Sequence, residues 1–122
     1  MILAGDIGGT STRLTIFEAA GRSFKSIAEQ RYPSQEHRGL EEIVNKFIDA
    51  HDLPVDCACF GVAGPVKRGR VETTNLAWVV DAKDLARLLG LRTAGLINDL
   101  EANAWGVTAL EEKDFVVLNQ GA

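Results

Sequence analysis

The sequence offers little from which to build anything other than a plain folded domain. It holds two cysteines, two histidines and three prolines in 122 residues. Cys57 and Cys59 have no histidine nearby and make a poor zinc set. Their period-two spacing inside an apolar run leads us to expect two reduced core thiols. No apolar stretch approaches the ~18 residues that a membrane span needs. The start, Met-Ile-Leu-Ala-Gly-Asp, lacks a basic leader and is interrupted by Asp6, which argues against a signal peptide. Positive charge is not in excess: 13 Lys+Arg stand against 17 Asp+Glu, a formal charge of −4. That balance argues against a nucleic-acid surface and against an anionic membrane surface. Internal repeats, low-complexity tracts and linkers are absent as well. What is present is 46% apolar and 25% charged, the average for globular chains. The length suits one domain and is short for two cores. The expectation is a cytoplasmic protein with neither nucleic-acid nor membrane partners.

The periodicity changes along the chain in an order that indicates the fold. Ile2–Ile7 is a short apolar run, residues 13–18 alternate around Leu14 and Ile16, and Gly8-Gly9 lies between, as in a hairpin. Residues 24–32 form a weaker third strand after a turn at Gly21. Leu40, Ile43, Val44, Phe47 and Ile48 then recur at helical spacing. Glu42 and Lys46 make a supporting i,i+4 pair, and Pro54 bars continuation. Residues 57–63 are nearly all apolar, the pattern of a strand covered on both faces. Residues 66–73, with Lys67-Arg68-Gly69-Arg70, read as a polar hairpin with a solvated tip. Asp81 should cap a helix Ala82–Leu89 that turns Leu85, Leu88 and Leu89 inward and stops at Gly90. Residues 94–97 form another buried strand, residues 98–105 a short helix, and residues 115–118 a last strand. This order predicts an α/β fold: a mixed sheet with an antiparallel three-strand meander and helices on its faces.

Three segments carry chemistry. In Gly5-Asp6-Ile7-Gly8-Gly9-Thr10, followed by Ser11, Thr12 and Arg13, the glycines let backbone N–H groups approach an oxyanion. Asp6 would then hold Mg²⁺, directly or through water, against phosphate oxygens. A hairpin turn with an incidental Asp would read the same way, and neither Gly-x-Gly-x-x-Gly nor Gly-Lys-Ser/Thr is present. In Leu96-Ile97-Asn98-Asp99, an Asn-Asp pair ends a buried strand, where open α/β sheets bind ligands. Asp99 could accept a proton from a hydroxyl while Asn98 orients it. Equally, Asn98 is a helix N-cap and Asp99 a first-turn anion. In residues 61–66 and Thr73-Thr74-Asn75, small residues and hydroxyls suit a polyol, as they also suit a tight turn and a polar loop. Trp78 reads as core, and His37 and His51 receive no role.

Taken together, in this order and spacing, these segments resemble bacterial glucokinase, within the sugar kinase, actin and heat-shock chaperone superfamily. The resemblance runs from Met1 to about Ala122. It implies a ribonuclease-H-like (actin-like ATPase) domain, with residues 1–122 as the N-terminal small domain of a two-domain sugar kinase. The C-terminal large domain of the same polypeptide would then be a missing partner, and a homodimer is compatible with it. It implies that Gly5, Asp6, Ile7, Gly8, Gly9 and Thr10 cradle ATP, with Asp6 acting through Mg²⁺. It implies that Asn98, Asp99, Thr74 and Asn75 hold glucose, and that Asp99 is the general base for the 6-hydroxyl, giving glucose 6-phosphate and ADP. A kinase for another hexose and a non-catalytic nucleotide-binding relative are the alternatives. Ser11 departs from the Asn that relatives often carry. The second phosphate loop, the adenine site and the remaining sugar contacts are not found in these 122 residues, so the chain alone is expected to be inactive.

Overall fold

Alternation punctuated by glycine sets the first third of the chain. In the computed structural model, which describes residues 1–73 and 76–107, β1 (Ile2–Ile7) pairs antiparallel with β2 (Ser11–Ala20) from Ile2↔Phe17 to Ile7↔Thr12. Gly21, at φ 64°, turns the chain into β3 (Ser23–Pro33), antiparallel to β2. A left-handed φ carries no steric cost without a Cβ. One face of these strands is apolar, with Leu3, Ile7, Leu14 and Ile16 sealed from solvent.

That face is closed by α1 (Leu40–His51), whose Leu40, Ile43, Val44 and Phe47 are wholly buried and whose Ile48 is partly so. The helix stops earlier than Pro54 requires. Asp52 adopts a left-handed φ of 42° and its N–H bonds the Ile48 carbonyl at 2.8 Å. The expected Glu42–Lys46 pair is present at 3.8 Å.

β4 (Cys57–Val62) then enters the sheet parallel to β1, and β7 (Gly95–Asn98) enters parallel to β4. The order is β3-β2-β1-β4-β7. A three-residue pair, β5 (Arg70–Glu72) and β6 (Val79–Asp81), makes a separate small antiparallel sheet. α2 (Ala82–Leu89) follows β6, and α3 (Asp99–Val107) follows β7. Asp81 caps α2 by accepting from the Lys83 N–H at 2.8 Å, and Gly90 ends it at φ 69°. No described helix is long and apolar enough to cross a bilayer.

Four expectations change. Cys57 and Cys59 are free and exposed rather than core thiols. Alternation along β4 sends Ala58, Phe60 and Val62 into the core and the cysteines to the opposite face. On that face Ala102 of α3 packs toward Gly61. In α2 Leu85 is inward as expected and Leu89 packs partly against the core, but Ala86 takes the other buried position and Leu88 is exposed. β7 is half-buried rather than buried, and among the described residues it is the outermost strand on its side of the sheet. The polar hairpin of residues 66–73 is a tight turn with Arg68 and Gly69 at positive φ, bridged Lys67↔Arg70, while β5 pairs onward with β6. The strand expected at residues 115–118 lies outside the described residues.

Candidate functional site

Parallel pairing brings three of the sequence segments to one edge of the sheet. Ile7, the last residue of β1, is opposite Val62, the last of β4, and Val62 is opposite Asn98, the last of β7. The Gly8-Gly9-Thr10 loop, the Ala63-Gly64 turn and the start of α3 therefore emerge side by side. With strands spaced about 4.8 Å apart, the β1 and β7 ends stand about 10 Å from each other. Carboxyl ends of parallel strands are where open α/β sheets form ligand crevices.

The glycines of the first segment serve different ends. Gly5 lies inside β1 opposite Phe60, and a Cβ there would overlap the buried Phe60 ring. It is a packing position within the sheet. Gly8 begins the turn, its N–H bonding the Ser11 carbonyl at 2.9 Å. The carbonyls of Gly8 and Thr10 are both taken up by Ser34, which sits in a short 3-10 turn (Ser34–Glu36) after β3. Sequence reasoning missed Ser34. A Ser after Pro33 reads as a local turn residue, and nothing in the spacing points across 26 positions to Gly8.

Asp6 is on the face of β1 opposite the core, largely exposed, with Arg13 of β2 at 3.6 Å. Arg13 also lies 3.6 Å from Glu29. Exposed pairs of this kind contribute little to stability, so the Asp6 carboxylate is not committed to Arg13.

Asn98 is a helix cap, as one reading of the sequence held. Its Oδ1 accepts from the Leu100 N–H at 2.9 Å, and its Nδ2 donates to the Gly64 carbonyl at 2.6 Å. The amide thus ties the β4 exit loop to the start of α3. Asp99 stands at the first helical position, half-buried, with Oδ1 accepting from Leu100 N–H at 3.0 Å. Its other oxygen has no hydrogen bond among the described residues. A carboxylate here is favoured by the helix dipole.

Thr74 and Asn75 lie outside the described residues. Of the described residues on either side, Thr73 donates through Oγ1 to the Leu76 carbonyl at 2.8 Å and through its N–H to the Trp78 carbonyl at 3.1 Å. Trp78 is core, as expected, with its indole N–H on the His37 carbonyl at 3.1 Å.

The chain matches the glucokinase family model over residues 3–122. It is 36% identical to a glucokinase of Nostoc punctiforme over 99% of this chain and 36% of the relative. To a glucokinase of Rhizobium meliloti it is 35% identical, over 99% of this chain and 35% of the relative. The chain thus spans about a third of the length of the curated relatives it matches. A solved glucokinase from an Antarctic psychrotroph superposes with a TM-score of 0.86 at 28% identity, covering 99% of this chain and 39% of that one. A solved sugar kinase homologue from Cytophaga hutchinsonii shares the fold, with a TM-score of 0.72 at 21% identity over 93% of this chain and 40% of its own.

Proposed function

The chain belongs to the glucokinase family, and on that premise we propose that it is the N-terminal small domain of a two-domain, ribonuclease-H-like hexose kinase. The reaction is phosphoryl transfer from ATP to the 6-hydroxyl of glucose, giving glucose 6-phosphate and ADP. The observation that carries this reading is the register Ile7–Val62–Asn98, which sets a glycine loop suited to phosphates and a carboxylate suited to a hydroxyl on one sheet edge.

Asp99 takes the 6-hydroxyl proton as that oxygen attacks the terminal phosphorus and the bond to ADP breaks. The Asp99 oxygen without a hydrogen bond among the described residues and the capped helix start that holds the residue in place support this role. After its two internal bonds, the Asn98 amide retains one N–H and one lone pair with which to orient the sugar. Thr74 and Asn75 supply further sugar contacts. The Gly8–Thr10 backbone receives phosphate oxygens through N–H groups.

Asp6 is the residue that would hold Mg²⁺. Mg²⁺ takes one or two carboxylates and completes its shell with water and substrate phosphates. A single exposed carboxylate beside the loop fits that donor set, and no cluster of three metal-ligating side chains occurs among the described residues. The ion, when bound, neutralises charge on the phosphate oxygens.

The test is Asp99→Asn in the protein at its full encoded length. Asn keeps the size and the helix-start bonding but accepts no proton, so kcat falls about 10²–10⁴-fold. Glucose affinity falls much less. Were Asp99 only a first-turn anion, its loss would cost only about 0.3–1 kcal/mol of stability and leave activity intact. A well-folded variant with more than a tenth of wild-type kcat overturns the assignment.

A further inference from the structure

Two hydroxyl side chains with no exposed surface, Thr12 and Ser34, meet beneath the Gly8–Ser11 turn. Ser34 reaches it by two routes. Its Oγ donates to the Gly8 carbonyl at 2.7 Å, and its N–H donates to the Thr10 carbonyl at 3.0 Å. The Ser34 hydroxyl has a single proton, which is spent on Gly8. The 2.9 Å contact between Thr12 Oγ1 and Ser34 Oγ is therefore donated by Thr12. The three groups form one relay, Thr12 to Ser34 to Gly8.

This relay decides which way the turn presents its peptide groups. A trans peptide holds its N–H antiparallel to its C=O. Anchoring the Gly8 and Thr10 carbonyls on Ser34 turns the Gly9 and Ser11 N–H groups away from the buried side. A turn containing two glycines would otherwise sample many peptide orientations, only some of which present donors to an anion. The 3-10 turn that carries Ser34 is itself fixed at its far end. His37 Nδ1 donates to the Pro33 carbonyl at 2.8 Å, Lys46 donates to His37 Nε2 at 3.0 Å, and the Trp78 indole holds the His37 carbonyl. Ser34 is thus braced from Lys46 of α1 and from Trp78.

We propose that Ser34 is a positioning residue, which together with Thr12 presets the Gly8–Thr10 turn for the oligophosphate of a nucleoside triphosphate. The inference rests on the kinase reading above. Ser34 touches no substrate; it acts through the loop backbone.

The experiment uses the protein at its full encoded length and reads KM for ATP, KM for glucose and ADP affinity by titration calorimetry. Ser34→Ala removes the donor to Gly8 and raises KM for ATP and Kd for ADP about fivefold to tenfold, the scale of one lost buried hydrogen bond. KM for glucose stays within twofold. Thr12→Val, which keeps the shape and removes the relay's first donor, shifts the same two constants in the same direction. Thr12→Ser, which returns the hydroxyl, restores them. The double variant Thr12→Val/Ser34→Ala is no worse than Ser34→Ala, because Thr12 acts only through Ser34. If Ser34→Ala does not fold, the Thr12→Val and Thr12→Ser pair decides. A uniform loss across both substrates, or a stability loss with nucleotide constants unchanged, overturns the positioning role. Gly9→Val separates the two levels of inference. Should it weaken ADP binding while the hydroxyl variants do not, only the role of Ser34 falls. Should wild type bind no ADP, the kinase reading falls and takes this inference with it.

Discussion

At the scale of single residues, alternation decides what a side chain can do, and Cys59 shows how. The apolar run around it reads as buried on both sides, yet the pleat of β4 sends Phe60 inward and Cys59 outward. Run length alone carried no information about which face a neighbouring helix covers. Cys59 packs against Gly95, where a Cβ would come within 2.9 Å of its sulfur. Partial burial pushes its thiol pKa above the ordinary 9.0, and the Glu101 carboxylate at the start of α3 pushes it further. The thiolate is the reactive form, so a raised pKa means less reactive sulfur at any given pH below it. Alkylation of Cys59 should therefore reach its half-maximal rate at a higher pH than a free thiol. Glu101→Gln removes a negative charge and should move that midpoint down. The measurement is iodoacetamide labelling across pH, resolved by peptide mass spectrometry. A pH profile for Glu101→Gln that coincides with wild type would falsify the electrostatic part.

At the scale of elements, what was legible depended on how local the determining contacts are. α1 was readable because its five apolar positions repeat at helical spacing and only one face had to be buried. The α2 cap at Asp81 and stop at Gly90 were readable for the same reason, since each acts within a few residues. The pairing of β5 with β6 was not, because two three-residue strands separated by a loop leave almost no alternation to detect. Ser34 was invisible on the same ground, its partners lying in another hairpin. Gly5 is an intermediate case. As part of a glycine-rich motif it reads as a ligand contact, but it lies opposite Phe60 in the parallel β1–β4 ladder, where the ring fills the space a Cβ would need. Phe60 is wholly buried and its ring is rigid, so it cannot swing aside as a flexible chain end would. Gly5→Ala should cost about 1–3 kcal/mol, the usual toll of overpacking. Chemical denaturation of the variant beside wild type measures it. An unchanged midpoint would show that the two strands can separate enough to admit a methyl group, and the packing role would be withdrawn.

At the scale of the molecule, the sheet edge gathers the residues to which the proposal gives one side of a reaction centre. The Gly8–Thr10 loop, the Asn98 cap and Asp99 are all supplied by β1, β4 and β7, and they share one rim. Phosphoryl transfer is mostly positioning and charge neutralisation, so a centre works only when donors surround the reacting groups. Relatives of which this chain covers 36% have most of their length elsewhere. We therefore expect the 122-residue chain, expressed alone, to transfer no measurable phosphoryl group to glucose. Oriented binding supplies roughly 7–11 kcal/mol of a barrier when reactants are held on all sides. One wall forfeits much of that, even if each residue on it is correctly placed. A coupled assay with glucose and ATP, run on the 122-residue chain beside the full encoded protein, tests this directly. Circular dichroism of the short chain shows whether the mixed sheet has formed, which separates an incomplete site from an unfolded one. Turnover by a folded 122-residue chain within a factor of about ten of the full protein, a gap of only about 1.4 kcal/mol, would mean that this rim alone is the catalytic centre.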